Sequence, residues 1–204
     1  MKYTFIASFV ACFLLAGVVF AHDEGAQDIQ TVVEQETTTA SDLGVPDPGA
    51  LPTSRLYFFK EWGRGIQRLF TFNSIAKAEL ELRIANEKAA EAEKVEETDP
   101  DNASAIRRAM ENYEKAQERL QARLESLKET SQNPNVDRLL WRLAEQTVQH
   151  EKLFEELEEK HESAKSIIQN IRARIVQTVG DAAEKDTPEK FKARLEKILE
   201  ESKG

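Results

Sequence analysis

Between residues 140 and 178 one stripe repeats without a slip: Leu140, Leu143, Thr147, His150, Phe154, Leu157, His161, Ala164, Ile168, Ile171, Ile175 and Thr178, in steps that alternate three and four. A strand would need a period of two. A mean step of 3.5 keeps one face of a helix against a partner helix, so this stretch is committed to left-handed helix packing. Asn133 is a cap residue with Pro134 at the first helical position, and Gly180 supplies a stop. The spacing therefore predicts one unbroken helix over residues 134–179, about 69 Å long at 1.5 Å per residue.

The rest of the chain supplies partners for it. Asn73 opens a helix over residues 74–97 with the stripe Ile75, Ala78, Leu82, Ala85, Ala89 and Ala92, whose small side chains let a neighbour approach closely. Asp99-Pro100 opens a third helix over residues 100–130, with Ile106, Ala109, Tyr113, Ala116, Leu120, Leu124 and Leu127 on one face. Ahead of these, residues 55–70 gather Tyr57, Phe58, Phe59, Trp62 and Phe70. Gly63 and Gly65 each weaken that helix by about 1 kcal/mol and either allow close packing or divide it. Thr187-Pro188 opens a last helix over residues 187–202, with Phe191, Leu195, Ile198 and Leu199 on one face.

Short turns make the second, third and fourth helices antiparallel neighbours. The expected fold is all-α: an elongated antiparallel bundle of coiled-coil-like hairpins with one very long helix. The third helix reaches only about 46 Å, so the last ~15 residues of the long one overshoot it. That tip is the most apolar part of the chain (Ile167, Ile168, Ile171, Ile175, Val176, Val179). Either the C-terminal helix folds back on it, or it pairs with a second copy in a homodimer.

Two segments precede the bundle. Lys2 is followed by uncharged residues 4–20, and Val19-Phe20-Ala21 has the small residues of a cleavage site. As a helix, residues 4–20 reach about 25 Å, short of a ~30 Å bilayer core. Residues 1–21 thus read as a secretory signal peptide in preference to an uncleaved anchor. Residues 22–54 hold seven acids and no lysine or arginine, which predicts a disordered, self-repelling acidic linker. These features place the chain outside the cytoplasm, in the periplasm, at the cell surface or secreted, with no stable membrane insertion after cleavage.

Charge and residue inventory narrow the chemistry. Without residues 1–21 the chain has 27 bases against 37 acids, net −10, which disfavours nucleic acid and a polybasic lipid anchor. The only cysteine, Cys12, lies in the leader, so thiolate chemistry is excluded from the remainder. The metal-ligand candidates are His150, His161 and Glu158. The two histidines are about 16 Å apart along one helix, too far for one ion, and the Glu-x-x-His of Glu158 and His161 occurs once where di-iron bundles use it twice. Both histidines fall on the stripe, so they read as register-setting polar residues. If both are buried, protonation near pH 6 loosens the long helix. No nucleophile elbow, catalytic carboxylate pocket or cofactor fingerprint can be placed, and the expectation is no enzyme, no cofactor and no catalytic residue.

Pro48-Gly49, Leu56-Tyr57-Phe58-Phe59-Lys60, Ile66, Phe70-Thr71-Phe72, Lys77-Ala78-Glu79-Leu80, Ala85 and Ala89 resemble an exported bacterial family, domain of unknown function 5667. The resemblance covers about residues 45–160. It implies a helical, secreted or membrane-tethered protein and supplies no catalytic residue. The expected role is an extracytoplasmic interaction or scaffold protein that engages a protein or another cell-envelope component. The alternative is an envelope-stress bundle that binds metal ions or unfolded clients.

Overall fold

Six α-helices and one 3-10 turn account for most of the computed structural model, which describes residues 38–45 and 47–201; no strand occurs among them. The leader, its cleavage site and residues 22–37 of the linker lie outside the described residues. The helices are α1 (Tyr57–Phe70), α2 (Ser74–Thr98), α3 (Ala103–Ser126), α4 (Pro134–Lys160), α5 (Lys165–Ala183) and α6 (Pro188–Glu201), with a 3-10 turn at Glu162–Ala164 between α4 and α5.

Local chemistry sets most of these boundaries. The Asn73 side chain accepts hydrogen bonds from the Ile75 and Ala76 amides, and Asn133 does the same for Asn135 ahead of Pro134. The third helix starts at Ala103, three residues later than Pro100 suggested. Asp99 closes α2 through its amide on Val95, and Asn102 caps α3 by accepting from the Ala105 amide. Thr187 caps α6 at the Lys190 amide.

The single long helix of residues 134–179 is not present. The chain reverses at His161 (φ −127°, ψ 77°), and α5 runs back along α4. Arg172 on α5 reaches both Glu151 and Glu158 on α4, and Gln169 reaches Glu158. The physical reason is the overshoot itself. An unbroken rod would leave Ile168, Ile171, Ile175 and Val179 without neighbours, whereas the reversal buries all four. The 161–164 turn consumes just enough residues to keep the three-four alternation running through it, so the period did not betray the break. Gly180 is no stop either, since α5 continues to Ala183.

Two antiparallel hairpins, α2/α3 and α4/α5, therefore lie side by side. Glu79 and Glu96 on α2 meet Arg142 and Lys160 on α4, so those two helices run parallel. Arg107 meets the Ser163 carbonyl and Glu118 meets Arg174, so α3 and α5 also run parallel. α3 and α4 are diagonal partners, not the adjacent pair the short turn suggested. They touch across the axis, where the Tyr113 and Phe154 rings lie 4.4 Å apart between centroids. Nearly the whole predicted stripe is buried, from Leu140 to Thr178, as is the alanine stripe of α2.

Two further expectations are corrected. The predicted disordered linker does not extend to residue 54: from Thr38 on, the chain lies on the bundle. Leu43 is buried in the core beside Ala89, Leu153 and Leu157, and Pro48 and Pro52 are buried as well. Leu43, Val45 and Leu51 fall here with the two prolines, and their packing on the bundle offsets the entropy of ordering. The Pro48-Gly49 turn needs its glycine, whose φ is +69°. Nor does α6 cover the tip of Ile167 to Val179, which α3 and α4 already cover. It packs on the first turns of α4, where Arg194, almost wholly buried, binds Asp137 and, at 2.8 Å, Asp186.

Candidate functional site: an aromatic helix face turned to solvent

The three metal-ligand candidates serve three separate purposes. His150 is fully buried on the bundle axis, its Nδ1 2.9 Å from the Tyr113 hydroxyl and its Nε2 without a partner. Burial pushes its pKa down to about 3. His161 forms the reversal, its Nε2 3.9 Å from Glu96. Glu158 pairs with Arg172 at 2.9 Å. Among the described residues no group of three or more His, Cys, Asp or Glu side chains converges as a metal site would require. Trp141 is half-buried, with the Arg194 guanidinium 5.0 Å and the Lys197 ammonium 5.3 Å from its ring centroid.

The unusual surface lies on α1. A helix at a protein surface ordinarily buries its apolar face and hydrates its charges. α1 does the reverse. Its residues Tyr57, Lys60, Glu61, Arg64 and Arg68 follow helical spacing and face α2, which presents Glu81, Glu87, Lys88 and Glu91 to them. Arg64, 3% exposed, donates to Glu87 at 2.6 Å and to Glu91 at 2.9 Å. Arg68 grips Glu81 with two bonds of 2.8 and 3.0 Å. Glu91 has no exposed side-chain surface and takes Lys60 at 2.6 Å, the Tyr57 hydroxyl at 2.6 Å and Lys88 at 3.2 Å. Lys88 also binds Glu61 and the Tyr57 hydroxyl, and Asn112 of α3 donates to that hydroxyl at 3.1 Å.

This cluster is balanced, with Lys60, Arg64, Arg68 and Lys88 against Glu61, Glu81, Glu87 and Glu91. Each buried charge thus has an opposite one beside it. Desolvation alone would raise Glu91, but Lys88 and Arg64 beside it hold its carboxyl below the usual range. Lys88 goes the other way: burial and the neighbouring Arg64 lower it, against the pull of Glu91. Tyr57 is pushed up by burial and by the Glu91 charge, so its phenol stays a donor.

With the charges turned inward, the apolar residues point out. Phe58, Phe59, Trp62, Leu69 and Phe70 on α1, with Leu56 before it and Phe72 after it, are 62–80% exposed. A patch of this kind on a monomer marks an interaction surface. Sequence reasoning placed the aromatics on one helix but did not foresee which way they face. The signal was present in the polar positions 57, 60, 64 and 68, which repeat every three or four residues, and in Glu81, Lys88 and Glu91, which sit off the alanine stripe.

Gly63 and Gly65 neither divide α1 nor serve close packing. Neither has a positive φ, and a β-carbon built on either would meet nothing within 4 Å. Gly65→Ala is therefore expected to stabilise α1 by about 0.5–1 kcal/mol, read as slower amide exchange across the helix.

Comparison with known proteins gives one match: no curated protein and no solved structure is similar to the chain, whereas one family model is. The matched span begins at Gly49, and it includes Tyr57 and Lys60, two of the residues that fix α1 to α2. It also runs past residue 160, where the sequence resemblance stopped, to take in α5 and α6. With residues 49–203 matched, the chain belongs to the family described as domain of unknown function (DUF5667).

Proposed function

We propose that this chain is a non-enzymatic, extracytoplasmic interaction module at the cell envelope, in which the bundle serves as a rigid mount for the outward face of α1. The observation that carries this reading is the inverted helix. Seven large apolar side chains stand in water while the polar face is held down by buried ion pairs. Such exposure costs solubility and contributes nothing to the core, which suits a surface kept for binding. The apolar run at residues 4–20 and the acidic residues after it support export. The buried carboxylates of the α1–α2 cluster are each ion-paired, and this supports a structural role for them over acid–base chemistry.

Two measurements test the reading. A C-terminal reporter enzyme that works only outside the cytoplasm should be active when fused to the full chain, and inactivity there would remove export. A photoreactive side chain at Phe59 should give adducts in cells, whereas the same group at exposed Glu118 on α3 should not. Equal yields at both positions would remove the α1 surface. The same exposed rings would also serve a protein that holds unfolded clients, and suppression of client aggregation at equimolar protein would favour that second reading.

A further inference from the structure

Resting on that reading of α1 as the binding surface, we infer that its occupant is a lipid bilayer: α1 lies in the membrane–water interface with its aromatic face among the acyl chains. The composition of the helix carries the inference. Five of the seven exposed apolar side chains are aromatic and Trp62 sits mid-helix, while the cations of the opposite face are ion-paired to α2. An outward row of Trp, Phe and Leu is what the apolar face of an interfacial helix presents to acyl chains. At 14 residues α1 is too short to span, and no described helix is long and apolar enough to cross a membrane. Interfacial binding needs neither.

Charge around the strip selects a bilayer over a second copy. The exposed cations beside it are Arg55, and Arg83 where it reaches Gln67. In a two-fold pair these basic rims would face one another. Against a bilayer they meet lipid phosphates. The buried ion pairs fit the same setting, because α1 can leave water without exposing an unpaired charge to the acyl chains.

The test uses the full chain with Trp141→Phe, which leaves Trp62 as the sole indole. On addition of phosphatidylcholine vesicles, Trp62 emission should shift to the blue, and lipids brominated on their acyl chains should quench it at least about twofold. This readout is local to α1, so binding through residues 4–20 does not imitate it. Phe58→Ser, Phe59→Ser and Phe70→Ser together, all at exposed positions, should abolish the blue shift and the quenching of Trp62 with the fold intact by circular dichroism. Trp62 emission that ignores the vesicles overturns the proposal. So does a Trp62 already shielded in lipid-free protein, whether light scattering then shows a dimer or deletion of residues 4–20 exposes the ring. An inactive reporter fusion with a quenched Trp62 would remove export alone, and an active fusion with Phe59 adducts and an unquenched Trp62 would remove the bilayer alone.

Discussion

Replacing Glu91 by alanine should release α1 from the bundle and raise amide exchange across residues 57–70 by roughly a hundred- to a thousandfold, equivalent to about 3–4 kcal/mol. The carboxylate is fully buried and is the shared partner of Tyr57, Lys60, Arg64 and Lys88. Its removal strands cations with too few acids, and detachment of α1 lets them hydrate. The apolar core of α2 to α5 does not depend on these contacts, so protection there should persist. Glu97→Ala, which breaks the exposed pair with Lys94, is the control and should change nothing measurable. Unchanged exchange in α1 of the Glu91 variant would mean that packing, not the ion pairs, holds the helix in place.

The second large effect concerns acid. In the folded chain His150 stays neutral to about pH 3, because burial disfavours its charge, whereas in the unfolded chain it titrates near 6.5. Below pH 6.5 the unfolded state therefore binds the extra proton. The stability associated with neutral His150 is complete above 6.5 and drains as pH falls, by about 1.4 kcal/mol per unit until about pH 3. Glu93 works in the opposite sense. Burial and then the Glu97 charge hold its carboxyl up to about 6, so its folded form gains a proton first as pH falls. Comparison with His150→Asn isolates the histidine, since asparagine keeps an acceptor for the Tyr113 hydroxyl and does not titrate. Between pH 6.5 and 4.5, wild type should lose about 2–3 kcal/mol more than the variant in urea unfolding. Parallel pH profiles would show that water reaches the ring. The loosening near pH 6 that the stripe suggested thus belongs, for His150, to linkage through the unfolded state.

Much of this architecture was legible because helix packing writes itself into spacing. The stripes of α2, α3 and the α4/α5 pair named the buried residues, and Asn73, Asn133 and Thr187 marked their helix starts. The reversal at His161 was not legible, since no proline or glycine marks it and the alternation runs through it. What decides it is a long-range comparison: a folded-back α5 finds α3 and α4, and a straight one finds water. The face of α1 was hidden for a related reason. Amphipathic spacing fixes which residues share a side but not which side is inward. That depends on the charges of α2, and Glu81, Lys88 and Glu91 read in sequence as an ordinary solvated face. The length of the linker was overestimated because Leu43, Pro48 and Pro52 are too few and too scattered to form a periodic signal, yet each fills a place on a bundle that already exists.

The Arg194 clasp has a temporal side. It ties the first turn of α4 to Asp186 in the turn after α5, and it cannot close until residue 194 has left the ribosome, after every other helix of the bundle has been made. Under the export proposed above, such an order of events would suit a polypeptide threaded through a translocation channel: a knot tied late leaves the strand slack while it passes.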